Sequence, residues 1–261
     1  MRPLSRTGNY ISTRIGRAIE DYRLLEDKDR ILVAVSGGKD SMALVKLLNE
    51  RKKWAPIDYE LTAMHVESDF LCSDSKSQKN ALKLFFKDNG IKYRFEKMKI
   101  LNRRSLERSY SSRSRDDFST EKSRPSCFWC SWNRRKALFL AADKLGCNKV
   151  ALGHHKDDIV ETFLLNIFYH GEFSAMNPRQ ELFGGKLTII RPLCYVEESA
   201  LRKFAKESRF PLLACNCPNS DISKRRLMKG FVKRMERDCP HVKTNVFRSI
   251  SRIKHEYINI K

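Results

Sequence analysis

Ile31-Leu-Val-Ala-Val35 runs directly into Ser36-Gly-Gly-Lys-Asp-Ser41, and Met42, Leu44, Val45, Leu47 and Leu48 follow at helical spacing. Five consecutive apolar residues read as a strand buried on both faces, as in a parallel sheet. Gly37 and Gly38 let the backbone turn sharply and approach an anion. The helix that opens near Ser41 aims its free N–H groups and positive dipole end at the same point. Lys39 and the hydroxyls of Ser36 and Ser41 add donors suited to phosphate oxygens, and Asp40 suits Mg²⁺ or a water of its shell. The spacing is not the G-x-x-x-x-G-K-[ST] of a Walker loop, which argues against motor and GTPase chemistry.

Outward from this loop the alternation repeats. Strands are expected at about 61–66, 91–95, 149–152 and 187–190, with helices at about 79–89, 133–145, 158–169 and 197–207. This pattern predicts an α/β fold: a Rossmann-like parallel five-stranded sheet with flanking helices. Residues 102–124 are rich in Ser and Arg, lack apolar periodicity and read as a basic loop leading to Cys127. After residue 220 the strands cease. Two helices are expected, about 220–237 and 241–257, and residues 221–261 carry twelve Lys and Arg against four Asp and Glu, one-sided enough to suggest nucleic-acid contact. The expected organisation is a helical lead-in (1–29), a nucleotide-binding domain (30–219) and a basic helical C-terminal segment (220–261).

A chain of 261 residues with 41% hydrophobic content can build a core, which excludes a disordered tail protein. Its 52 Lys and Arg against 31 Asp and Glu leave +21, a field that favours a polyanionic partner. No run reaches the roughly 18 apolar residues of a membrane span. The first residues, Met1-Arg-Pro-Leu-Ser-Arg-Thr-Gly8, lack the apolar stretch of a secretory signal, so a cytoplasmic location with no membrane partner is expected. In that reducing compartment the eight cysteines point to metal or sulfur chemistry rather than disulfides. Cys127 and Cys130 form a C-x-x-C and Cys215 and Cys217 a C-x-C, while Cys72, Cys147, Cys194 and Cys239 stand alone. Four clustered thiols suit a structural zinc site as well as an iron–sulfur site.

A second motif, Leu152-Gly-His-His-Lys-Asp-Asp158, follows one predicted strand and opens a helix, at the strand end where ligands gather in open α/β sheets. The Ser36–Ser41 loop resembles the pyrophosphatase (PP) loop of the N-type ATP pyrophosphatases, which adenylate a substrate and release pyrophosphate. Together with Glu161-Thr162, Asn166-Ile-Phe-Tyr169, Ile190-Arg-Pro-Leu193 and Tyr195-Val-Glu197, it makes the chain similar to the tRNA 2-thiocytidine synthetase family over about 15–253. Cys127-Phe-Trp-Cys-Ser-Trp-Asn-Arg-Arg135 resembles that family's C-S-x-C-x-x-x-R-R segment, and Phe210-Pro-Leu-Leu-Ala-Cys215 its cysteine after Phe-Pro.

The resemblance implies a PP-loop fold that binds ATP and Mg²⁺ through Ser36, Gly37, Gly38, Lys39, Asp40, Ser41, Gly153, His154 and His155, with Lys39, Asp40 and Asp158 in the chemistry. It implies a [4Fe-4S] cluster on Cys127, Cys130 and Cys215, and thiolation of a tRNA cytidine, position 32 in tRNA numbering. Arg134, Arg135, Lys224, Arg225 and Arg226 are expected to hold the RNA backbone, and Trp129 and Trp132 offer stacking surfaces. A sulfur donor such as a cysteine desulfurase is implied, and a homodimer is left open. Two positions depart from the family: Cys217 stands one residue closer to Cys215 than the usual C-N-x-C allows, and Glu67 stands where an aspartate is usual. The alternatives are a uridine-thiolating or lysidine-forming relative and a non-catalytic basic RNA-binding protein with structural zinc. The uridine-thiolating enzymes usually carry N-terminal zinc ribbons, and no cysteine precedes Cys72 here.

Overall fold

Strand β1 (Asp29–Ala34) pairs on both edges and is covered on both faces. In this computed structural model, which describes residues 4–68, 76–98, 127–213 and 224–257, Ile31, Val33 and Val35 enter one apolar cluster and Leu32 another. Side chains alternate sides along a strand, so an unbroken apolar run is what a central strand between two helical layers needs.

The chain runs α1 (Arg6–Tyr22), β1, α2 (Lys39–Arg51), β2 (Tyr59–Ser68), α3 (Lys76–Asp88), β3 (Lys92–Met98), α4 (Cys127–Lys144), β4 (Lys149–Ala151) and α5 (Lys156–His170). It continues through β5 (Arg179–Leu182), β6 (Leu187–Ile190), α6 (Glu198–Glu207), α7 (Lys224–Asp238), α8 (Val242–Ser249) and a short 3₁₀ turn, His255–Tyr257. The sheet order is β3-β2-β1-β4-β6-β5. On one face Ile11 and Ile15 of α1, Leu44 and Leu48 of α2, Phe86 of α3 and Phe204 of α6 share a core; on the other, Leu138 and Ala142 of α4 meet Leu32, Val150 and Ile189.

The five expected strands form the parallel part of the sheet, and a sixth, β5, is added antiparallel to β6 at the edge. Its sequence, Arg-Gln-Glu-Leu, is polar because an edge strand is only half covered, so it carries no periodic apolar signal. Helix α4 begins six residues before the expected Asn133, which puts Cys127 and Cys130 in its first turn rather than in a preceding loop. The last expected helix stops at Ser249 instead of Tyr257. There the Ser249 and Ser251 hydroxyls donate to the Val246 and Arg248 carbonyls, in competition with continued helix. The 102–124 loop lies outside the described residues.

The C-terminal helices are packed onto this body. Met228 and Val232 of α7 are buried, and Phe231 meets Phe168 of α5 edge-on. From α8, Phe247 and the following Ile250 join the first core, while Lys243 Nζ lies 2.8 Å from Asp157 Oδ1. Among the described residues no helix is long and apolar enough to cross a membrane.

Candidate active site

The order of the sheet brings the two motifs together. Strands β1 and β4 are parallel neighbours, with Ile31 opposite Lys149 and Val33 opposite Ala151, so the segments leaving their C-terminal ends emerge side by side. β1 is also where the strand order reverses direction, the usual position of a ligand crevice in an open α/β sheet. The loops touch: a Cβ added at Gly153 would stand 3.1 Å from the Ser41 nitrogen. Gly37 has φ +82°, a conformation open to glycine, and its carbonyl accepts the Leu213 N–H at 3.0 Å.

Hydroxyls close the first loop on itself. Ser41 Oγ accepts the Ser36 N–H at 3.1 Å and donates to the Gly38 carbonyl at 3.0 Å, while Ser36 Oγ accepts the Gly38 N–H at 3.3 Å. The second loop ends in a capping box: His155 Nδ1 accepts the Asp158 N–H at 3.4 Å, and Asp158 Oδ2 accepts the His155 N–H at 3.0 Å. That bond assigns the acceptor role to Nδ1 and leaves the proton on Nε2, which lies 3.4 Å from Asp158 Oδ2 and 3.9 Å from Asp40 Oδ2.

Between the loops is a cavity of ≈300 Å³ lined by Lys39, Asp40, His155, Asp158, Glu161, Glu198, Arg225, Arg226 and Lys229. A larger depression of ≈460 Å³ between α1 and α6, at Arg6, Tyr10 and Lys203, includes neither motif. We assign the site to the smaller cavity because the phosphate-type donors converge there. Glu198 gathers three cations: Oε1 is 3.0 Å from Lys39 Nζ and 3.1 Å from Arg202 Nη2, and Oε2 is 2.7 Å from Lys229 Nζ. Burial alone would raise its carboxyl, but hydrogen bonds from Lys229 and Lys39 bring it down to about 2. Burial acts to lower Lys39, and the Asp40 and Glu198 carboxylates outweigh it, leaving a firmly charged ammonium. Asp40 is shifted up by burial against the pull of His155 and Lys39, and its Oδ1 is buried with no hydrogen-bond partner among the described residues. Glu161, buried beside Asp158 and facing Lys229, is pushed up to about 7, chiefly by desolvation.

Lys39, Asp40, His155, Asp158, Arg225 and Arg226 therefore meet around one space, while Ser36, Gly37, Gly38, Ser41 and Gly153 belong to the two touching loops beside it and are not among its lining residues. His154 turns away: its Nδ1 accepts from Arg191 Nε at 3.3 Å, and burial and then that guanidinium push it down to about 4, so it is neutral. Lys224 stands 4.6 Å above the Tyr169 ring, and Glu67 is ion-paired with Lys79 at 2.7 Å. Arg134 and Arg135 follow the cysteines on α4, where Arg135 bonds Ser131. Cys130 is buried beside Met98 with Val66 and Trp129 against it, and Trp129 stacks on Trp132 at 5.7 Å between centroids. The Cys127 side chain, Cys215 and Cys217 lie outside the described residues.

Glu161, Glu198 and Lys229 had no assigned role in the sequence reading. Glu161 sits one turn after Asp158 on the same helix face, a spacing that could have flagged it. Nothing local ties Glu198 or Lys229 to Lys39.

A family model described as a PP-loop domain matches residues 9–226. This chain belongs to the PP-loop family. Among its PP-loop relatives, the tRNA-cytidine(32) 2-sulfurtransferases of Geobacter sulfurreducens and Geobacter metallireducens are each 37% identical over 254 residues, covering 95% of this chain and 91% of theirs. That of Syntrophotalea carbinolica is 37% identical over 251 residues, covering 93% and 88%. A solved structure, the U34-tRNA thiolase NcsA from Methanococcus maripaludis with its [4Fe-4S] cluster, superposes with a TM-score of 0.71 over 97% of this chain and 80% of that one. At 21% identity this establishes a shared PP-loop fold.

The PP-loop here fits the groups such a fold would hold. Three features make a phosphate cradle: the open amides at the start of α2, the Lys39 ammonium and the glycine conformation at Gly37. The buried, unpartnered Asp40 Oδ1 matches a hard divalent cation, which takes oxygen ligands. Cys127 and Cys130 stand one helical turn apart at the start of α4, a spacing compatible with thiolate ligands to a shared metal group.

Proposed function

We propose that the protein is an ATP-dependent tRNA sulfurtransferase that converts cytidine 32 of tRNA to 2-thiocytidine in the cytoplasm. One observation carries this reading: the two PP-loop motifs close around a phosphate-binding cavity in a chain that aligns over 95% of its length with tRNA-cytidine(32) 2-sulfurtransferases.

The chemistry requires activation because the oxygen on C2 of a pyrimidine is a poor leaving group. That oxygen attacks the α-phosphorus of ATP, the bond to the bridging oxygen breaks, and pyrophosphate leaves. Lys39 and the amides at the start of α2 hold the departing phosphates, stabilising charge as it develops. Asp40 and Asp158 face the same space, where Mg²⁺ supplies Lewis-acid polarisation of phosphate oxygens. A sulfur nucleophile then attacks C2, the C2–O bond breaks and AMP departs. Cys127, Cys130 and Cys215 would be the thiolates that hold a [4Fe-4S] cluster, which would supply an iron site for sulfur. A cysteine desulfurase serves as the donor, and a homodimer is compatible with this role. Arg134, Arg135 and Lys224 hold the tRNA backbone. Exposed Trp132 offers a stacking face to a base splayed from the anticodon loop.

Mass analysis of nucleosides from the tRNA of a strain lacking the gene tests the reading. Loss of 2-thiocytidine with thiouridines intact is expected; loss of a thiouridine instead would move the protein to the uridine branch. Lys39→Ala should fail to restore 2-thiocytidine, whereas restoration would separate the protein from ATP activation. Anaerobically purified protein should carry about four irons per chain, and a colourless protein with one zinc would remove the cluster.

A further inference from the structure

The basic C-terminal segment reads from sequence as a contact for RNA, yet the side chains at the start of α7 are elsewhere. Arg225, Arg226 and Lys229 rim the same ≈300 Å³ cavity as Lys39 and Asp40. Arg225 and Lys229 stand four residues apart and share one face of the helix. Arg225 Nη2 donates to Thr162 Oγ1 of α5 at 2.8 Å, and Lys229 Nζ lies 2.7 Å from Glu198. The other oxygen of that carboxylate is 3.0 Å from Lys39. One small anion therefore bridges the lysine of the glycine loop and a lysine of the C-terminal helix.

From these contacts we infer that Arg225 and Lys229 bind the terminal phosphates of the nucleotide rather than the tRNA backbone, so that α7 is a wall of the ATP site. The inference rests on the reading of the cavity as an ATP site.

Three observations support it. The lining divides by sign: Lys39, Arg225, Arg226 and Lys229 are cationic, while Asp40, Asp158 and Glu198 are carboxylates. A metal–pyrophosphate complex needs both kinds, carboxylates for the metal and cations for the phosphate oxygens. The volume is at the lower end of small-molecule clefts, roughly 300–1,000 Å³, which suits phosphates and a metal better than a run of RNA backbone. The helix is also fixed by packing, through buried Met228 and Val232, so its cations are held at the cavity before any RNA arrives.

The test uses the full-length, anaerobically purified protein, with magnesium pyrophosphate as the probe in calorimetric titration and tRNA affinity measured in parallel. Arg225→Ala and Lys229→Ala should each weaken pyrophosphate binding by about tenfold or more, the loss of a charge-assisted hydrogen bond, with tRNA affinity nearly unchanged. Lys229→Gln, which keeps much of the stem, gives the same reading should Lys229→Ala melt early. Arg237→Ala removes an equal charge from the far end of α7, outside the cavity lining, and should leave pyrophosphate binding as it was. The inference is overturned if the rim variants leave pyrophosphate binding intact, if they weaken tRNA binding more than pyrophosphate binding, or if Arg237→Ala matches their effect. Wild-type protein that binds pyrophosphate but makes no 2-thiocytidine would instead refute the functional reading, and this inference would stand.

Discussion

Glu161 is a buried carboxylic acid that makes no hydrogen bond or ion pair among the described residues, although it faces a cavity with charge on every side. From its own helix Asp157 and Asp158 oppose its ionisation; from α7, Lys229 and Arg225 favour it, and burial prevails. With the carboxyl raised from 4.5 to about 7, the folded state prefers the protonated form. That contribution to stability is complete below about pH 4.5 and is lost as pH rises through 7. Glu161→Gln keeps the neutral shape, so its melting temperature should exceed that of the wild type at about pH 8 and converge with it towards about pH 4. An offset that does not vary with pH would contradict this account. Much of the site was legible residue by residue because Ser36–Ser41 and Gly153–Asp158 are contiguous motifs whose glycines and donors imply an anion. Glu198 was not, since a carboxylate in the first turn of a helix reads as a partner for the helix dipole. Its actual partners, Lys39 and Lys229, come from distant parts of the chain.

Among the elements, α7 holds much consequence for little apolar contact. Met228 and Val232 are its only residues in the buried hydrophobic core, on a helix that packs against α5. Met228→Ala should lower stability by about 2 kcal/mol, the small end for a core truncation, and weaken ATP binding with it. Chemical denaturation and nucleotide titration would read the two losses, and a variant as stable as the wild type would show that α7 is held by its ion pairs instead. The central strands were legible because their apolar runs exceed what one-sided burial would need, and the helices because their apolar spacing and following glycines agree. β5 was hidden by its polar edge sequence, and the start of α4 by Cys-Phe-Trp-Cys-Ser-Trp, which has no helical apolar stripe to announce a first turn.

Across the whole molecule, the +21 excess must be divided between two anions, nucleotide phosphate and RNA backbone. Binding of tRNA should weaken linearly in log–log form with salt, each phosphate contact contributing about −0.7 to −0.9 to the slope. Equilibrium titrations across a salt series would measure it, and a flat response would separate the charge from RNA binding. Net charge signalled a polyanion but not which cation faces which anion, because that depends on how the tail docks. The docking has a practical consequence. Cutting the chain before Lys224 would strip Lys229 from Glu198 and Lys243 from Asp157, and would uncover the core where Phe247 and Ile250 rest. The tail is thus no detachable module: a truncated protein that fails to bind tRNA would report a damaged nucleotide pocket and an exposed core together, and only point changes on the outer face can isolate the RNA contribution.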